Sequence, residues 1–166
     1  MTHNLIHHLS YNLWANERIG HLLMAQDDAV LNAEQKSSFP SLTKTVLHLW
    51  DAEIIWLTRL KGGYLSDWPS KSFTGGKTDM LHGLIATSTE LLQFVKEKDE
   101  SFLQGKLVYK NMKGEAYENT PEEILFHLVN HGTYHRGQII TLLRGAGATQ
   151  MVSTDLIAWF RERNKK

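Results

Sequence analysis

The chain has 166 residues, 42% of them hydrophobic, enough to bury a core without a disulfide or metal staple. Eighteen basic residues balance eighteen acidic ones, so the charge footprint of a protein that grips phosphate backbones or anionic lipid is missing, and neither nucleic acid nor membrane is expected as a partner. The absence of cysteine excludes disulfides, thiolate ligands and a cysteine nucleophile.

The first twenty residues, MTHNLIHHLSYNLWANERIG, lack the basic start, short apolar core and small-residue cleavage site of a secretion signal, and no apolar run approaches ~18 residues. A cytoplasmic protein is expected, with one domain over 1–166. Residues 3–25 place Leu5, Leu9, Leu13 and Leu23 on one arc at the 3.6-residue period, which predicts an amphipathic first helix. Residues 41–61 predict a second, ended by Gly62 and Gly63. Its apolar residues run almost all the way round, so it needs cover on more than one side. A second copy of the chain would supply that cover in a two-fold homodimer, with Trp50 and Trp14 as anchors. Alternatively the stretch 62–78, GGYLSDWPSKSFTGGKT, folds back as an ordered loop and covers it with Tyr64, Trp68 and Phe73.

A third helix is predicted over 79–98 from Leu81, Leu84, Ile85, Leu91, Leu92 and Val95, and a small hairpin over 106–118. TPEE then reads as a helix start: Thr120 caps, Pro121 takes the first helical position and Glu123 closes a capping box. The fourth helix should run to about Arg144, stopped by GAG at 145–147, with a short last helix over 153–163. The expected fold is therefore all-α, a four-helix bundle with a short C-terminal helix and a small hairpin.

Within the fourth helix the stretch HLVNHGTYHRGQ carries histidines at 127, 131 and 135, four apart and so on one side. Ile124, Leu128, Ile139 and Leu142 mark the arc that faces the core, and His131 and His135 fall inside it. His127 lies at its edge beside Gln138. A single inward histidine is ordinarily a core residue bonded to a carbonyl. Two of them four apart each need polar partners, and a shared cation satisfies both lone pairs at once. His48, in the most apolar helix, completes a neutral three-histidine set, which on tetrahedral zinc leaves a fourth position open. Asn12 and Asn16 fall within the first helix's apolar arc, where they either line the same polar pocket or simply bond between helices. Asp51 and Glu53 are either carboxylates behind the ligands or salt-bridge partners. Arg136 either meets an anionic substrate or pairs with an acid such as Glu53.

Other chemistries fail on residue grounds. No glutamate has a histidine three positions later, as di-iron carboxylate bundles require, and HGTYH has glycine where zincins carry their general base. No catalytic base is legible.

The segments YNLWANERI, HLWDAEIIWLTRL and HLVNHGTYHRGQIITLLRGAG, in this order and spacing, resemble the DinB/YfiT-like family of four-helix bundles. The resemblance covers nearly the whole chain, and NHGTYHRGQ is its most specific part. It implies a divalent metal held by one histidine of the second helix and two of the fourth, here His48, His131 and His135, and it implies a homodimer. Some relatives are thiol-dependent S-transferases or isomerases using small thiols. Two functions follow as expectations. One is a metal-dependent enzyme, with zinc or nickel, that activates a small thiol or water. The other is a non-catalytic metal- or ligand-binding bundle of the stress response.

Overall fold

The computed structural model describes residues 2–111 and 113–165. Met1, Met112 and Lys166 lie outside them, so the middle of the predicted hairpin turn does too. Four long helices dominate: α1 (Thr2–Met24), α3 (Leu42–Leu60), α5 (Lys77–Lys96) and α7 (Pro121–Gly145). Between and after them lie the short helices α2 (Asp28–Asn32), α4 (Pro69–Ser72), α6 (Glu100–Leu103) and α8 (Leu156–Arg163), and an antiparallel hairpin of β1 (Leu107–Lys110) and β2 (Ala116–Asn119). The all-α expectation holds. α8 begins three residues later than predicted, and the expected ordered loop over 62–78 contains α4.

Local chemistry explains the boundaries. Thr120 accepts from the Glu123 backbone N–H, Glu123 returns the bond to Thr120, and Pro121 opens α7. Ser41 caps α3 by accepting from Lys44 N–H. Gly62, at φ 77°, takes the left-handed turn that stops α3 and that other residues adopt at a cost.

In the bundle, α1 and α3 each pack on both α5 and α7. Apolar side chains form two buried layers. One holds Leu5, Leu9, Leu57, Leu91, Val95, Leu125 and Leu128. The other holds Ile19, Leu23, Val46, Leu49, Leu84, Ile139 and Leu143. Between them along every long helix sit the buried polar residues Asn12, Asn16, Glu53, Ser88 and Arg136.

The two tryptophans read as dimer anchors both have partners within the chain. Trp50 lies against Gly83, where a Cβ would stand 2.2 Å from its ring, donates to Thr87 Oγ1 at 2.9 Å, and meets Phe73 edge to face. Trp14 donates to Glu162 Oε2 at 3.0 Å, on α8. Phe73 thus gives part of the cover that the loop reading called for, whereas Tyr64 stands 85% exposed.

Candidate metal centre

α3 and α7 are neighbours in the bundle, and the groove between them brings His48, His131 and His135 together. One ligand atom from each lies within 4.8 Å of the other two. His48 Nε2 and His131 Nε2 are 3.0 Å apart. Two imidazole lone pairs cannot face each other at that distance without a proton or a cation between them. A tetrahedral ion with nitrogen bonds of about 2.0–2.1 Å spaces its ligand atoms about 3.3 Å apart, close to the 3.0 Å between His48 Nε2 and His131 Nε2.

The third ring is oriented by Gln138. His135 Nδ1 and Gln138 Oε1 are 2.7 Å apart, and Gln138 Nε2 donates to Ser38 Oγ at 2.9 Å and to Tyr134 Oη at 3.2 Å. With the amide nitrogen so committed, its oxygen accepts from His135 Nδ1–H, which leaves Nε2 as the free lone pair. Phe39, next to Ser38, stacks on His48 with centroids 4.2 Å apart and closes one side of the cluster.

Electrostatics keep these rings neutral. Burial pushes the His48 imidazole down to about 4, helped by the nearby His135 ring. Burial takes His131 to about 3, with His135 and His48 adding to the effect. His135 is lowered by burial too, against the pull of its Gln138 bond. Neutral imidazole is the ligand form, so the donor set fits a divalent ion of the zinc, nickel or copper type.

A pH dependence follows for the metal-free protein. Unfolded histidines take up protons near pH 6.5, whereas folded His48 and His131 resist until about 4 and 3. The unfolded state binds more protons in that window, so stability falls as pH drops from about 6.5 toward 4. Urea midpoints at pH 7, 5.5 and 4.5 should decline in the wild type, and less steeply in a His48→Gln/His131→Gln variant. Equal slopes would contradict this account.

The remaining predicted site residues separate. His127 is exposed, its ring 5.6 Å from that of His131 and outside the ligand cluster. With Trp56, Tyr109, Asn119, Glu123 and Ile124 it lines a cleft of about 300 Å³, one helical turn from the cluster. Asp51 faces elsewhere, accepting from the Ser70 backbone N–H at 2.8 Å in the first turn of α4. Asn12 and Asn16 bond between helices instead of reaching the histidines: each donates to Glu53 Oε1, at 2.8 and 2.9 Å, and each accepts from Arg136 Nη1 at 2.8 Å. Sequence reasoning missed Ser38 and Phe39, which belong to a connection with no periodic pattern.

The DinB family profile matches residues 1–162. The chain belongs to the DinB family. Protein DinB of Bacillus subtilis (strain 168) is 32% identical over 144 residues, 82% of this chain and 83% of that protein. The crystal structure of a DinB-like protein from Bacillus cereus ATCC 10987 superposes with a TM-score of 0.62 over 84% of this chain and 91% of that one. At 20% identity that likeness concerns the fold alone. Among the described residues, no helix of this DinB-family chain is long and apolar enough to cross a membrane.

Proposed function

We propose that His48, His131 and His135 hold one divalent ion, zinc or nickel, and that the protein is a metal-dependent enzyme that activates a small thiol or water for transfer or hydrolysis. The observation that carries this reading is a ligand cluster made, among the described residues, of three neutral imidazoles. Held by these neutral rings, a divalent ion would keep its double charge and would lower the pKa of a water or thiol bound there toward neutrality. Gln138 holds the His135 ring in the ligating tautomer, and Phe39 shields one side of His48 from water. The Trp56/His127 cleft gives an approach along the α3–α7 groove, with aromatic walls for the body of a substrate.

The test uses protein made without a histidine tag, loaded with zinc or nickel, and assayed for thiol transfer to electrophiles and for ester hydrolysis. Turnover is expected that disappears on chelation and in His131→Ala. Stoichiometric metal without turnover on any substrate class would instead assign a metal-storing or sensing bundle.

A further inference from the structure

Beside the histidine cluster lies a second polar assembly. Glu53 on α3 and Arg136 on α7 are 3% and 1% exposed, and the two Asn side chains of α1 stand between them. Glu53 Oε1 accepts from Asn12 Nδ2 and Asn16 Nδ2, while Arg136 Nη1 donates to Asn12 Oδ1 and Asn16 Oδ1. Ser88 on α5 bonds both Asn16 and Glu53, so all four long helices meet in one hydrogen-bonded layer. Replacing such a buried charged group with well-packed apolar residues is often neutral or stabilising, so stability alone does not account for it. What a layer of this kind specifies is the rotation and register of the helices that carry it.

Those two variables also decide whether the histidines meet. Arg136 directly follows His135, and Glu53 lies five residues after His48. A nitrogen about 6 Å from the axis of a helix moves about 1 Å when that helix turns by ~10°. Binding sites need their groups held within about 0.5 Å. Gly132 gives an independent sign of the same demand. It sits mid-way along a 25-residue helix, where glycine is less favourable than alanine. A Cβ there would stand 2.7 Å from both Arg136 Nη1 and Asn12 Oδ1. The glycine leaves room for the guanidinium to reach the amides.

We propose that the buried Glu53–Asn12–Asn16–Arg136 layer, with Gly132 as its clearance, is the positioning element of the histidine cluster, fixing the rotation of α3 and α7 at which His48 meets His131 and His135. These are positioning residues and touch no ligand. Their role toward metal rests on the reading of the cluster as a metal centre, whereas the ring geometry they set does not.

Two variants test it, Gly132→Ala and the apolar pair Glu53→Leu/Arg136→Met. Three quantities are read: the thermal midpoint, the affinity for Co(II), and the nuclear Overhauser contact between the His48 and His131 rings in metal-free protein. Both variants should fold, bind Co(II) at least tenfold more weakly and lose the ring contact. If the apolar pair does not fold, Gly132→Ala decides, since it keeps every polar residue and favours helix. A layer with only a structural role would shift the midpoint and leave the other two readouts alone. Folded variants with Co(II) affinity within twofold of wild type and an intact ring contact overturn the proposal. A wild type that shows the contact but binds no Co(II) would sink the metal reading, and the ring contact alone would then decide the positioning role.

Discussion

His131→Ala is expected to abolish tight binding of a divalent ion and to leave the helical bundle folded. Loss of a group that merely orients a ligand costs about 10–100-fold in metal affinity, so loss of a ligand from a set of three should exceed that. The bundle is expected to hold without an ion, because its two apolar layers, mostly leucine with valine, isoleucine, methionine and aromatic side chains, contain none of the three histidines. This contrasts with a zinc finger, whose metal-binding energy is its folding energy. Circular dichroism and equilibrium dialysis with Zn(II) check both halves. A random-coil spectrum would show the histidines to be structural, and undiminished binding would remove His131 from the ligand set.

Arg136→Ala should have the opposite profile, a large loss of stability. Truncation leaves the Glu53 carboxylate buried without its cation, a change that costs about 3–5 kcal/mol. It also frees the Oδ1 atoms of Asn12 and Asn16 and opens a void in a fully buried site. At roughly 2–4 °C per kcal/mol for a chain of this size, the thermal midpoint should fall by about 10 °C or more. Burial lowers the affinity of Arg136 for its proton and raises that of Glu53. The guanidinium nevertheless stays charged in proteins, so truncation removes the attraction that opposes the burial-driven rise of Glu53 and is the damaging change. A midpoint within 2 °C of wild type would show that the layer carries little energy.

The parts of this structure legible from sequence are those with a local or periodic signature. Thr120, Pro121 and Glu123 form a capping box that any helix start of that composition can make, and α7 begins where they stand. His131 and His135 share the arc of Ile124, Leu128 and Ile139, so their inward direction follows from helix geometry alone. What stayed hidden depends on contacts far apart in the chain. The short helices α2, α4 and α6 are four or five residues long, too short to show a period, and the first turn of α4 is held by Asp51 from another helix. Ser38 reaches the site through Gln138, a hundred residues away. The association of Arg136 with Glu53 could be guessed from type and position, but the amides of Asn12 and Asn16 between them could not, because nothing in one helix's pattern reports what a facing helix presents. Trp50 looked unpartnered for a similar reason. Its cover is Gly83, whose missing side chain is what makes the contact.

We propose that three histidines on two helices form one metal centre, and X-ray absorption at the zinc edge of the reconstituted protein reads that centre itself. One ion per chain is expected, with three imidazole nitrogens at about 2.0–2.1 Å and one further light atom in an open position. A shell built from oxygen, or one containing fewer than three imidazoles, would contradict it.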